Sequence, residues 1–311
     1  MIKKPFPRLS ERAFFVFSGM KILISIALCL FFIPSVQANA IDSLHTKEEV
    51  QQFLMTEIDS IWRYYFAWEK NVTDTSEFGQ NRFFKLDLDH NGRTDLLVNA
   101  RYLFAITDRG DGTYGVHIPG KWNHFGKTRL LGIYSYEDAG EKDPVIGLLS
   151  GNANVYDTQH KEKEDRLVFR YGNFMEFNSK PDDSEIESIA WTTDVCYDTC
   201  RVCSYTLYAD RRAVCEAYFA NSNTKRLKAV VDTATSHRIF GTISYVGAAP
   251  LSQSYLANWT HARFIKLKIR YADGREKILS DEGLIGSYGL VNLYEQLFEL
   301  RKSQRWKKKK K

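Results

Sequence analysis

The stretch Trp191–Ala217, WTTDVCYDTCRVCSYTLYADRRAVCEA, constrains this chain more than any other. It holds four of the five cysteines. Cys196 and Cys200 are separated by Tyr197, Asp198 and Thr199. In an extended strand they would lie roughly 13 Å apart, whereas a disulfide needs Cα atoms within about 7 Å. A bridge here therefore demands a turn, which Asp198 and Thr199 supply by bonding their own backbone. Cys203 and Cys215 fall in the two strands of a following hairpin. A two-residue loop at Asp210-Arg211 pairs Cys215 with Thr206 and points Cys203 to the opposite face. These two cysteines read as small buried hydrophobes. Four cysteines allow three pairings, and the spacing leaves all of them open.

Other thiol chemistry fits the spacing less well. A zinc ribbon needs paired short spacings, and Cys-x3-Cys-x2-Cys-x11-Cys lacks them. Cys196, Cys200 and Cys203 reproduce the spacing of radical iron–sulfur enzymes, but too little chain follows for their barrel. A thiol redox pair requires a helix N-terminus to lower the thiol pKa, and a hairpin follows instead.

The order of motifs CYDTCRV at Cys196–Val202, a hairpin, SDEGLIGSYGL at Ser280–Leu290, a last helix and Trp306 resembles an exported bacterial domain family of unknown function. Its signature is Cys-Phe-Gly-Thr-Cys-Pro-Val. Asp198 stands where that family has Gly, and Arg201 where it has Pro. The resemblance covers about Glu185 to Trp306. It implies a fold and a compartment but no activity.

The N-terminus reads as a targeting segment. Lys3, Lys4, Arg8, Arg12 and Lys21 are basic, Ile22–Val36 is apolar, and Ala38-Asn39-Ala40 is a cleavage site, so the expected product is periplasmic or secreted. Met20 also fits as a start. The span is short for a membrane helix. This leader carries +4 of the net +5. Lys307–Lys311 supply five more positive charges, so the body between is near −4. That argues against nucleic-acid binding. The lysine tail reads as a solvated end, with an anionic membrane surface or glycan as the sharper alternative.

The residues that point most directly to chemistry lie in FFKLDLDHNGRTDLLVNA. Asp87, Asp89, Asn91 and Asp95 occupy positions 1, 3, 5 and 9 of a calcium loop, Gly92 occupies the turn position, and Arg93 offers its carbonyl at position 7. Hard oxygen ligands at alternating positions converge on one cation of that size. Position 12 is Val98, not the glutamate of an EF-hand, and strands flank the loop. It resembles the calcium hairpins of β-propeller-type repeats, in a single copy. The bland alternative is an Asn-Gly hairpin turn. His90 is expected to point outward.

Upstream, Thr46-Lys47-Glu48-Glu49 is a capping box opening a helix predicted to reach about Lys70. Downstream, Arg109-Gly110-Asp111 sits in an Asp-Gly turn of a hairpin. Helices are predicted at Asp232–Val246 and Leu290–Lys302. Gly283, Gly286 and Gly289 lack the strand-loop-helix context of a phosphate site. No nucleophile elbow, P-loop or zincin motif is present.

The combined expectation is α+β: two small domains, each an antiparallel sheet with packed helices. Residues 1–40 are a signal peptide, 41–180 the domain with the calcium-like loop, 185–306 the second domain, and 307–311 a lysine tail. The expected function is a non-enzymatic envelope module binding an envelope protein or glycan, with calcium and a Cys196–Cys200 disulfide for stability and no transmembrane span after cleavage. The alternative is a periplasmic hydrolase or a thiol redox protein using Cys196 and Cys200.

Overall fold

A computed structural model describes residues 39–58, 66, 68, 77–78, 82–119, 128–138, 141–150, 163–193, 203–217, 225–257 and 262–308. Residues Asn39–Lys311 form one compact unit. Among the described residues the sheets are almost wholly antiparallel and three α-helices pack on them, so the chain is α+β.

The first helix, α1 (Lys47–Glu57), opens as the sequence predicts. Thr46 Oγ1 accepts from the Glu49 N–H at 3.2 Å, and Glu49 Oε2 accepts from the Thr46 N–H at 2.9 Å. It does not reach Lys70. The backbone is already extended at Ile58. A β-branched Ile followed by Asp59 and Ser60 explains the stop, because short polar side chains compete for the backbone. Phe66 and Trp68 nevertheless pack against the same core as Val50, Phe53 and Leu54.

Strands β1 (Arg82–Leu86), β2 (Asp95–Asn99), β3 (Leu103–Asp108) and β4 (Tyr114–His117) form an antiparallel meander. A second meander contains β5 (Thr128–Asp138), β6 (Glu141–Ser150), β7 (Lys163–Arg170) and β8 (Asn173–Glu176). Side chains alternate faces along β2 and β3. Leu96, Val98, Phe104 and Ile106 meet α1, while Leu97, Leu103 and Ala105 meet Ile146, Leu148, Leu167 and Phe169 of the second meander. This is why β2 is buried along its whole length.

The remaining strands form an eight-stranded sheet in the order β13-β15-β14-β9-β10-β11-β12-β16. They are β9 (Ile186–Thr193), β10 (Cys203–Tyr208), β11 (Arg212–Ala217), β12 (Lys225–Val230), β13 (Ser254–Tyr255), β14 (Phe264–Tyr271), β15 (Glu276–Glu282) and β16 (Lys307–Lys308). Helices α2 (Thr233–Val246) and α3 (Tyr288–Ser303) cover one face, with Ile239, Ile243, Leu293 and Leu297 against Ile189, Trp191, Leu267 and Ile269. The same helices touch the second meander: Tyr245 packs on Val168 and Met175. The stack runs α1, first sheet, second sheet, α2 with α3, third sheet.

The hairpin register differs from the predicted one. Tyr205, not Thr206, faces Cys215, and Cys203 faces Ala217. The loop is three residues, Ala209–Arg211, closed by the Arg211 N–H to the Tyr208 carbonyl at 2.9 Å, with Arg211 at φ 70. A turn followed by one left-handed residue is a standard three-residue hairpin, and the extra residue shifts the register by one. The positions of Cys203 and Cys215 therefore share a face, two places apart. Cys215 is buried. The lysine tail also departs from a simple solvated end: Lys307 and Lys308 pair with Lys228 and Leu227.

Helices α2 and α3 meet closely at Gly289, where a Cβ would lie 2.2 Å from Val246 Cγ2. We expect Gly289→Ala to destabilise the unit by about 1–3 kcal/mol through overpacking, read as a lower denaturant midpoint. An unchanged midpoint would show that the helix pair yields there.

Candidate metal centre

The β1–β2 loop runs from Asp87 to Thr94 between the paired residues Leu86 and Asp95. Gly92 at φ 79 and His90 at φ 59 turn the chain back on itself. Asp87, Asp89 and Asp95 each bring a carboxylate oxygen within 4.8 Å of the others. Asp87 Oδ2 accepts from the Gly92 N–H at 3.1 Å. Its Oδ1 is buried with no hydrogen-bond donor. Asp89 Oδ1 accepts from the Asn91 N–H at 3.2 Å. Three carboxylates converging with one oxygen unsatisfied form a donor set suited to a hard cation.

Asp95 is wholly buried. Its Oδ2 accepts from the Leu88 N–H at 2.8 Å, and its Oδ1 from the Asp108 N–H at 2.8 Å. Burial pushes its carboxyl up to about 7, against the pull of those backbone donors, and the neighbouring Asp89 charge adds to the rise. Asp89 is also raised, chiefly by burial.

Asn91 and Arg93 reach sideways to the β3–β4 loop. Asn91 Nδ2 donates to the Asp108 carbonyl at 2.6 Å, and Arg93 Nη1 lies 3.4 Å from Asp108 Oδ2. The Arg-Gly-Asp segment follows directly: the Gly110 N–H donates to Asp108 Oδ1 at 2.7 Å. Turn chemistry accounts for that loop. Val98, at position 12, is fully buried and offers no ligand.

His90 is exposed, as predicted, but its side chain also has a partner. Its Nε2 lies 2.6 Å from Asp143 Oδ1, without hydrogen-bond alignment, and Asp143 also pairs with Arg170. The left-handed backbone at His90 turns its side chain toward the second sheet. Arg170 stands over the Tyr245 ring at 5.0 Å. Sequence reading missed Asp143 and Arg170. Asp143 follows Glu141 and Lys142 in β6, and Arg170 ends β7, which already carries Lys163, Glu164, Asp165 and Arg166, so neither charge stood out in the sequence.

Cys196 and Cys200 lie outside the described residues, as do the leader up to Ala38 and His261. His237 lies in α2 beside the Tyr171 ring. The glycines near α3 hold no vacant phosphate cradle. Asp281 takes the Ile285 and Gly286 N–H groups, and Glu176 takes those of Tyr288 and Gly289. Among the described residues no helix is long and apolar enough to cross a membrane.

Residues 187–301, which hold β9 to β15, α2 and most of α3, match the model of a domain of unknown function, DUF6438. No curated protein and no solved structure matches the chain.

The raised Asp95 carboxyl generates a pH dependence. The folded state holds a proton that the unfolded chain, with an aspartate near 3.9, has already released. Metal-free stability should therefore fall as pH rises from about 4 to about 7. Urea denaturation in chelator measures it, and Asp95→Asn should flatten that fall. A fall of equal slope in both proteins would assign it elsewhere.

Proposed function

We propose that this protein is an exported, non-enzymatic binding module of the bacterial envelope, whose β1–β2 loop holds calcium. The observation that carries the metal reading is the buried, donor-free Asp87 Oδ1 beside two further carboxylates. Asp87, Asp89 and Asp95 would supply carboxylate oxygens, with Asn91 Oδ1 and the Arg93 carbonyl completing the set. A divalent cation would neutralise three acids that now crowd one another, and would hold the β1–β2 and β3–β4 loops in one arrangement. Residues 41–180 would carry this site and residues 185–306 the domain of unknown function. Export follows from the leader sequence, and an oxidising compartment would permit a Cys196–Cys200 disulfide. The partner would be an envelope protein or a glycan.

Calcium should raise the melting temperature of the parent and leave the Asp87→Ala, Asp89→Ala variant unmoved, because only the parent gains the linkage term. Calorimetric titration should show affinity weakening as pH falls from about 8 to about 6, where protons compete for Asp95. No calcium response in the parent would reduce the loop to an ordinary turn.

The second expectation concerns the thiols. A structural Cys196–Cys200 bond should survive a mild glutathione buffer, read by mass after alkylation. Ready reduction would favour the redox alternative.

A further inference from the structure

A cavity of about 570 Å³ lies away from the metal centre. That volume is within the range of small-molecule sites. Its lining comes from three segments: the lead into β9 (Asp182–Ile186), the tip of the β10–β11 hairpin (Ala209 and Arg211) and α2. Thr233, His237, Phe240 and Ser244 recur at helical spacing, so they share one face of α2. Two bonds mark the first and last of them. Arg211 Nη1 donates to Thr233 Oγ1 at 2.7 Å, and the Asp182 N–H donates to the Ser244 carbonyl at 3.0 Å. Between Thr233 and Ser244 the helix rises about 16 Å.

The two ends carry opposite charge. Asp182 and Asp183 enter at the Ser244 end. Ser184 binds the Asp182 carboxylate and holds it below the usual range. Arg275 reaches Ser184 Oγ at 2.9 Å, but its charge is paired with Asp273 at 2.6 Å. At the Thr233 end stands Arg211, whose guanidinium binds only a hydroxyl among the described residues. The acids near it are taken: Asp210 pairs with Arg212, and the Asp232 N-cap accepts from the Thr235 N–H and Gln304 Nε2. Glu185, which is exposed, adds a third carboxylate to the lining.

Two further features mark the cavity as a site. Ser236 lines it at 5% exposure, and its hydroxyl has no hydrogen-bond partner among the described residues. Buried polar groups are as a rule paired, so this one asks for a partner in the cavity. Arg211 holds φ 70. That conformation is uncommon and costly for a bulky residue, and such outliers gather at ligand clamps.

We propose that this cavity binds a short peptide by its two free ends, the carboxylate on Arg211 and the ammonium on Asp182 and Asp183. Four extended residues span about 13 Å, which leaves room for a guanidinium and a carboxylate to close on them. The surplus of acids disfavours a dicarboxylate, and a diamine would leave Arg211 unmet, so a molecule bearing both charges fits best. Ser236 offers its hydroxyl to the peptide backbone between the ends. The inference rests on neither calcium nor export and uses none of the residues of the Asp87 loop.

The test is a ligand-observed NMR titration of the full chain with tetraalanine, N-acetyl tetraalanine and tetraalanine amide. Tetraalanine should bind with a Kd at or below about 1 mM. Capping either end should weaken it at least about tenfold, because a charge-assisted hydrogen bond is lost. Arg211→Gly should remove the sensitivity to amidation, and Asp182→Asn, Asp183→Asn the sensitivity to acetylation. Arg211→Gly should melt no lower than the parent, since glycine accepts the left-handed backbone, so binding lost there is not fold lost. Should the double aspartate variant unfold, Asp183→Asn alone gives the same reading at smaller amplitude, its side chain being exposed. No saturable binding of tetraalanine, equal binding of a capped form, or putrescine binding as tightly as tetraalanine overturns the proposal. So does Arg211→Gly binding tetraalanine like the parent. Each of these failures leaves the calcium reading standing, because the calcium titration reads other residues.

Discussion

The Glu176 carboxylate is the joint on which the stack depends. It ends β8 and accepts the Tyr288 and Gly289 N–H groups at 2.5 and 2.9 Å. Those are donors with no partner inside α3, at the positive end of its dipole. One side chain of the second sheet thus seats the helix that covers the third. Around it, Asn292 Nδ2 and Gln296 Nε2 donate to the Arg170 and Tyr171 carbonyls. Asn178 binds the Tyr245 carbonyl at 2.7 Å. The layer between the second and third sheets is therefore laced by polar groups on both sides of its apolar contacts. Such groups are costly to bury unpaired, so they specify one docking geometry.

Local features were the legible ones. The Thr46 capping box and the start of α2 at Asp232 are each set by neighbours within a few residues, and each appears where the sequence places it. The Asp87, Asp89 and Asp95 spacing likewise brings those carboxylates together. What escaped depends on distant chain. β12 and β16 pair through residues far apart in sequence, and β8 is only four residues long. The hairpin register escaped because Arg211, not Gly or Asn, takes the left-handed position. That is an uncommon choice for a bulky residue.

The contacts of His90 illustrate the same limit. Its position inside the loop pattern marks it as a spacer, yet its side chain joins Asp143 and, through it, Arg170 under Tyr245. Loop, second sheet and α2 are tied through one buried carboxylate. Nothing in the local sequence around His90 announces a partner 53 residues away. Asp143 follows Glu141 and Lys142 and sits before Pro144, where the charged start of the strand gives way to the apolar run Val145–Leu149. A charge there is retained only because it is paired.

The strand order of the third sheet has a kinetic consequence. β9, the first of its strands to be made, lies fourth of eight, and its other neighbour is β14, with Ile265 opposite Thr193. The two four-stranded meanders join strands that are neighbours in sequence. The large sheet instead leaves one edge of β9 unpaired until β14 arrives, after β10, β11, β12 and α2 have all been made. Loop-closure entropy is spent before that pairing returns anything. During synthesis the half that bears the Asp87 loop can reach its final form early. The half matched to the domain of unknown function must wait for nearly the whole chain, with Trp191 and Ile189 exposed in the meantime.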